Sequence, residues 1–364
     1  MMVPTANQDQ RQGHGMMRPE DGAYLAGLRD ATTAALAAAI GPGPVALLDA
    51  PNQRNVGDSL IWAGEAAYLR RLGTDVRHVS DLRGYVPADV RAALPTGTIL
   101  IHGGGNFGDL WLGHQEHRER IVRDFPGHRI VQLPQSVWFR SADRAAEADR
   151  IIGAHPDFTL LVRDTPSQAR AAEALPHVRT AFCPDMALGW EPPPLDLSGR
   201  SRRVLVLARA DREHASGLQG VGPDWLPGLV VEGTDWRTDG PGRWRWRAAR
   251  LVAALDHQRA RVGRRVPLPP PGVAHRPVEA ALAAISAVNI AGGVRLFAPA
   301  RGAVVDRLHA HVMAALLGVE HVLLDNSYGK LRAVHDDYTG KFGTAHLASG
   351  LDEARELAAR LWAA

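Results

Sequence analysis

The stretch from Asp306 to Lys330 holds the densest set of groups able to do chemistry. Asp306-Arg307-Leu308-His309-Ala310-His311 joins a short apolar run to a helical pattern. Asp325-Asn326-Ser327-Tyr328-Gly329-Lys330 follows the next apolar run. Arg307 and His309 stand two apart at a strand-to-helix junction, where free backbone amides also point outward. Lys330 adds a second cation, and Asn326 and Ser327 add neutral hydrogen-bonding groups. Such a set suits a small, highly charged anion, and His309 is able to carry a proton near neutral pH. His311 reads more simply as a core or surface residue.

Further clusters recur at similar places along the chain. Asn52 to Asp58 lies between an apolar run and a helix; Gly57 permits close backbone approach, Asn55 and Asp58 offer polar contacts, and Asp58 or Ser59 is expected to cap the helix. Gly103 to Asp109 places three glycines after a strand, so a ligand could touch backbone amides there, with Gly104, Gly105, Asn106 and Asp109 as binding candidates. It lacks both the acidic residue that completes a dinucleotide fingerprint and the Gly-Lys-Ser/Thr of a Walker loop. Leu133-Pro134-Gln135-Ser136 supplies Gln135 and Ser136 as neutral partners for hydroxyls or phosphate oxygens. Arg163 either grips a carboxylate or phosphate or pairs internally with Asp164 or Asp185. Asp185, in Pro184-Asp185-Met186-Ala187, is expected to face a cleft, where it orients a neighbour or takes a proton from a hydroxyl.

The elements that must position these groups alternate between short apolar runs and helical patterns. Strands are expected at Val45–Leu48, Thr98–His102, Ile130–Leu133, Phe158–Val162, Val204–Ala208, Ala303–Val305 and His321–Leu324. Helices fall between them, among them Asp58–Leu72, Trp246–Val262, Pro277–Ile290 and Leu308–Leu317. This alternation implies an α/β fold of two Rossmann-like, doubly wound domains facing a cleft, with ligands beyond the carboxyl ends of the strands. The expected divisions are a disordered tail at 1–18, a first domain at 19–190 and a proline-opened linker at 191–202. A second domain at 203–345 and a C-terminal helix at 346–364 complete the chain. Residues Asp211 to Arg243 read as a long loop region rich in Gly, Asp and Trp. Trp225, Trp236, Trp244 and Trp246 offer stacking faces for sugar C–H groups or fill a core, and Trp236 is taken as the binding candidate.

Composition sets outer limits. Of 364 residues, 45% are apolar and 22% charged, which supports buried cores rather than disorder. Basic and acidic residues number 42 and 39 without a clustered basic block, so no nucleic-acid partner is expected. The single cysteine, Cys183, excludes an internal disulfide and a Cys-based zinc site, and fits a reducing cytoplasm. Neither a signal-peptide pattern nor an uncharged apolar run long enough for a membrane span is apparent. Oligomeric state leaves no signature.

Taken in order, these segments resemble the polysaccharide pyruvyl transferase family: Asn55-Val56-Gly57-Asp58, Gly103 to Asp109, Leu133 to Ser136, Arg163-Asp164, Pro184 to Ala187, Asp306 to His309, and Leu324 to Lys330. They span about three-quarters of the chain; within it, about Asp211 to Pro271 carries no segment of recognisable resemblance. Ala310, where glycine often follows the histidine, and Leu331-Arg332, where an Asn is common, depart from the pattern without removing a charge. The resemblance implies a glycosyltransferase-B-like fold and transfer of the enolpyruvyl unit of phosphoenolpyruvate to two hydroxyls of a sugar, giving a cyclic pyruvate ketal. On that reading Arg307, Lys330 and Arg163 bind the donor, His309 is the acid, and Asp185 orients it or acts as base. No metal and no cofactor beyond the donor substrate are needed, because arginines carry the phosphate charge. The acceptor could be a polymer unit on a lipid carrier, reached by peripheral membrane contact, a glycolipid or a small glycoside. Two other readings fit the same architecture: a glycosyltransferase with a nucleotide-sugar donor, and a non-catalytic sugar-binding protein.

Overall fold

A computed structural model describes residues 17–193, 195, 202–209, 216–236, 242–263, 276–325 and 329–362. Most of the expected tail (1–16), most of the linker (194, 196–201), and Asn326 and Ser327 lie outside the described residues, while Met17 of the expected tail packs against the core and Arg18 pairs with Glu320.

Helix α1 (Pro19–Ile40) precedes a first sheet of β1 (Val45–Leu48), β2 (Val76–Ser80), β3 (Thr98–Ile101), β4 (Gly104–Gly108), β5 (Arg129–Trp138), β6 (Phe158–Val162) and β7 (Arg179–Phe182). Its connections carry α2 (Val56–Arg71), α3 (Pro87–Ala93), α4 (Leu112–Asp124), α5 (Ala142–Gly153) and α6 (Thr165–Ala174). The second sheet comprises β8 (Arg203–Leu207), β9 (Val230–Thr234), β10 (Gly302–Val305), β11 (His321–Leu324) and β12 (Ala345–Ala348). Its helices are α7 (Arg243–Gly263), α8 (Arg276–Phe297), α9 (Leu308–Leu316), α10 (Lys330–Asp337) and α11 (Leu351–Trp362). Strand orders are β2-β1-β3-β5-β6-β7, with β4 added beside β5, and β12-β11-β10-β8-β9. Every described pairing is parallel.

The interior strands β1, β3, β6, β10 and β11 are buried throughout, as parallel sheets covered on both faces require. One apolar cluster runs through both halves, joining Leu47, Leu60 and Met186 to Leu207, Leu308 and Met313. The junction is made where α2 meets α8 and α9. Gly293 of α8 allows this approach, since a Cβ there would lie 2.8 Å from Val56 Cγ1 and 2.9 Å from Met313 Sδ. Helix α1 spans both halves: Arg29 donates to the Leu188 and Trp190 carbonyls, and the Tyr24 hydroxyl donates to the Tyr338 carbonyl.

Some local expectations need correction. Helix α2 is capped by Asn55, whose Oδ1 accepts from the Gly57 and Asp58 amides at 2.9 and 3.4 Å, rather than by Asp58 or Ser59. The stretch read as a loop region contains β9, and the stretch read as terminal helix begins with β12. Helix α8 is longer than expected; Pro277–Phe297 is long and apolar enough to cross a membrane, yet 56% of its apolar window is buried within the protein.

Gly64 lets α2 lie directly on the Met186–Gly189 turn, where an added Cβ would strike the Met186 carbonyl. Gly64→Ala is expected to destabilise the fold by about 1–3 kcal/mol. Gly27→Ala, in α1 with open space around it, is expected to stabilise by about 0.4–1 kcal/mol. Urea midpoints would read both, and an unchanged midpoint for Gly64→Ala would contradict the packing.

Candidate functional site

A cleft of about 820 Å³ lies between the carboxyl ends of the two sheets. Its polar lining comes largely from residues just past strand ends: Asp49 after β1, Asp81 after β2, His102 after β3, Arg163 after β6, Arg209 after β8, Asp235 after β9 and Arg307 after β10. Parallel strands direct their carboxyl ends to one edge, so side chains distant in sequence converge there. Seven Arg or Lys side chains line the cleft against four Asp, leaving it positive.

The centre is a buried charge relay across the two halves. Arg163 and Asp185 are 2% and 1% exposed, and Arg163 Nη1 lies 2.7 Å from Asp185 Oδ2. Arg163 Nε donates to Ser136 Oγ at 3.0 Å, and that hydroxyl donates to Asp164 Oδ2 at 2.7 Å. Asp185 Oδ1 accepts from the Ala187 amide, and the Asp185 amide donates to the Tyr338 hydroxyl. Burial alone would raise the Asp185 pKa, but the Arg163 charge, then His309, hold the carboxyl well below the usual range. His309 Nε2 lies 3.4 Å from Asp185 Oδ2, an ion-pair separation short of hydrogen-bond geometry. The ring packs over Gly57, where a Cβ would come within 2.7 Å of Nδ1.

Beside this relay, Lys330 Nζ donates to the Gly105 carbonyl at 3.4 Å. A methyl group added at Gly105 would lie 3.1 Å from Arg163 Nη2 and 3.2 Å from Lys330 Nζ, so two cations and a bare backbone share one small space.

Gly105, Asn106, Arg163, Lys330, Arg307, His309, Asn55, Asp58 and Trp236 all line the cleft. Asp185 lies just beneath, buried between Arg163 and His309, a place that suits orientation of the His309 ring. Gly104, Asp109, Gln135 and Ser136 do not line the cleft. Gly104 has φ +139°, a conformation that favours glycine. Asp109 accepts from the Arg140 and Ser141 amides, holding the start of α5. Gln135 is buried and saturated: its amide donates to His102 O and Asn106 Oδ1, and its carbonyl accepts from the Asn106 amide. Ser136 is spent on Arg163 and Asp164. Arg307 is in the cleft but already bound through two nitrogens to Asp235, at 2.7 and 2.8 Å. Trp236 lines the cleft and packs on Phe297; Trp246 lines it beneath Arg54; Trp225 packs on a core, and Trp244 is exposed on the outer surface.

Sequence reasoning missed several lining residues. Three histidines join His309 at the cleft, and all four stand beside a carboxylate: His102 with Glu65 at 2.8 Å, His114 with Asp49 at 2.9 Å, His257 with Asp81 at 2.7 Å, and His309 with Asp185 at 3.4 Å. Burial alone would lower the His102 pKa, but the Glu65 charge and hydrogen bond raise it to about 9. Glu65 also accepts from the Gly103 amide, and among the described residues His102 Nε2 has no hydrogen-bond partner. Asp49 has φ 65°, the non-glycine positive φ among the described residues, which is strain placed at a strand end. His102 was passed over as the last residue of a strand, and Glu65 lies inside a helix with no motif around it. Among the described residues no group of three or more His, Cys, Asp or Glu is placed to hold a metal ion.

Comparison with known proteins agrees with this architecture. The solved structure of a functionally uncharacterized protein from Klebsiella pneumoniae superposes with a TM-score of 0.52 at 14% identity, over 92% of this chain and 100% of the other, and so supports the fold alone. Pyruvyl transferase 1 of Schizosaccharomyces pombe is 29% identical over 81% of this chain and 69% of its own. EpsO of Bacillus subtilis, which carries a provisional pyruvyl transferase name, is 30% identical over 78% of this chain and 81% of its own. The family model for polysaccharide pyruvyl transferases matches residues 55–328, from the Asn55 cap past the His309 site. The chain therefore belongs to the polysaccharide pyruvyl transferase family.

Proposed function

We propose that this protein transfers the pyruvyl unit of phosphoenolpyruvate to two hydroxyls of a sugar, forming a cyclic ketal, across a cleft of the glycosyltransferase-B kind. The observation that carries this reading is the convergence of buried Arg163 and Lys330 on the bare backbone of Gly105, beside a carboxylate-backed histidine. A phosphoenol carboxylate needs two cation-lined ends and a proton source at its methylene carbon. Arg163 and Lys330 take one anionic group, and the protonated His102 ring donates to another. Arg307 serves the donor only by sharing or exchanging its hold on Asp235. A cytoplasmic setting, where Cys183 stays reduced and the donor is available, belongs to the same proposal.

In the proposed sequence His309 delivers a proton to C3 of the donor, leaving an oxocarbenium-like C2. The first sugar hydroxyl adds at C2 and releases its proton, and the C2–O bond to phosphate breaks. The second hydroxyl then closes the ring and releases its own proton. Two protons leave the hydroxyls; one replaces that given to C3, and the other leaves with phosphate or to solvent. Asp185, held as a carboxylate by Arg163, orients the His309 ring. Trp236 and Trp246 offer faces for the acceptor sugar. A polymer unit on a lipid carrier, a glycolipid or a small glycoside would each present the required pair of hydroxyls.

Phosphate release with phosphoenolpyruvate and a panel of galactosides, glucosides and mannosides tests the reaction. His309→Ala is expected to lower turnover by about 10²-fold or more while phosphoenolpyruvate still raises the melting temperature. Lys330→Gln is expected to weaken that stabilisation, and Trp236→Ala to raise the acceptor KM more than the donor KM. Stabilisation by uridine or cytidine nucleotides, with no response to phosphoenolpyruvate, would instead point to a glycosyltransferase. Near-normal turnover in His309→Ala would remove it as the acid.

The His102–Glu65 pair makes a separate prediction. Its folded pKa is raised, so its stabilisation is complete below about pH 6.5 and disappears as pH rises through about 9. The wild type should lose more stability between about pH 6 and pH 9.5 than Glu65→Gln/His102→Gln does, as read by urea midpoints. Parallel losses in both would dismiss the pair as an ionised contact.

A further inference from the structure

Helix α7 has two dissimilar long faces. Its inner face reaches across to the first half: His257 meets Asp81, Arg250 meets Asn52, and Arg259 meets Asp89. Arg250 and His257 thereby form part of the cleft wall, and Ala249, Ala253 and Ala260 are buried. Its outer face carries Trp244, Leu251, Leu255 and Val262, which are 71%, 63%, 64% and 50% exposed. These positions, with exposed Ala248 and Gln258 filling the gaps, recur at three- and four-residue steps and so form one stripe about 27 Å long, apolar except at Gln258.

The charge on that face is one-sided. Arg243, Arg245, Arg247 and Arg261 are exposed around the stripe, and Arg243 and Arg247 pack over the Trp244 ring at 6.0 and 5.1 Å. The helix has a single acidic residue, Asp256, which is buried and paired with Arg259. No described residue covers the stripe.

We propose that the outer face of α7 docks on an anionic lipid surface, independently of which reaction the cleft performs. An apolar stripe bordered by arginines, with a tryptophan among them, lets the apolar side chains enter the headgroup boundary while the guanidiniums meet lipid phosphates. A second copy of the chain fits less well, because two such faces paired across a two-fold axis would oppose arginine to arginine with no exposed acid on either helix. Because the opposite face of the same helix lines the cleft, docking would hold the cleft wall within one helix diameter of the lipid.

Co-sedimentation of the full chain with vesicles tests this. Binding is expected with phosphatidylglycerol mixed into phosphatidylcholine, to weaken with added salt, and to be absent with phosphatidylcholine alone. Leu251→Glu/Leu255→Glu should reduce binding by roughly tenfold or more, since two exposed leucines lose their apolar burial in the membrane. Arg245→Gln/Arg247→Gln should reduce it on anionic vesicles with the apolar stripe intact. Circular dichroism melts of both variants should match the wild type, as none of these side chains is buried. Wild-type protein left in the supernatant with anionic vesicles would overturn the proposal. So would a dimer in sedimentation equilibrium that Leu251→Glu/Leu255→Glu dissociates while vesicle binding persists, which would make the stripe a self-interface.

Discussion

The buried pair of Arg163 and Asp185 is the contact on which the site depends. Neither charge is exposed, and each has further hydrogen bonds, Arg163 to Ser136 and Asp185 to the Ala187 amide. A buried ion pair adds little net stability when compared with an apolar alternative, but removing one partner leaves the other uncompensated. Its value here is geometric. Arg163 extends from β6, Asp185 precedes the turn against which α2 packs, and His309 arrives from the opposite half at the start of α9. One carboxylate thus ties a guanidinium of the first half to an imidazole ring of the second and fixes the spacing between them.

That spacing holds only if the two halves keep their relation, and the packing explains why they do. The core is continuous through α2, α8 and α9, with glycines at the tightest crossings. Tight packing transmits position as well as stability, because close-packed interiors do not deform gradually. Gly57 shows the consequence: it lies in the first turn of α2, and the ring of His309 occupies the volume a side chain would need. The motif around Asn55 therefore shapes the cleft through what it leaves empty as much as through the groups it presents.

The interior of each sheet was legible in the sequence, and the edges were not. β1, β3, β5, β6, β8, β10 and β11 announce themselves as short apolar runs because both faces are covered. β2, β7, β9 and β12 are the outermost strands in the two orders. β9 and β7 are largely exposed, and a half-wet strand such as Val-Val-Glu-Gly-Thr has no periodicity to distinguish it from a loop. The site divides in the same way. Arg163, His309 and Lys330 were found because they stand at the ends of strands that could be read. His257 and Arg250 were not, because they project from a helix in a stretch that carries no motif of its own. His102 was hidden as the final residue of an apolar run, and its importance rests on Glu65, a helical residue thirty-seven positions earlier.

Several motif residues turn out to support the site from behind. Gln135 carries no free group toward the cleft; it holds Asn106 by two hydrogen bonds and the preceding His102 carbonyl by a third, so that Gly105 and Asn106 face the cleft. Asn106 is held from its other side by the fully buried Arg118, which packs on Phe107. Such a layer explains why polar residue types recur at positions that touch no substrate-sized space: an exposed glycine backbone keeps a defined shape only when its neighbours' hydrogen bonds are already satisfied. It also explains the asymmetry between the two sides of the cleft. The side with Gly105, Arg163 and Lys330 is backed by buried, saturated polar groups and is therefore rigid and motif-bearing. The side with Trp246, Arg250 and His257 rests on one helix joined to the first half by a few polar contacts. That side therefore depends on fewer buried hydrogen bonds than the side built around Gly105 and Arg163.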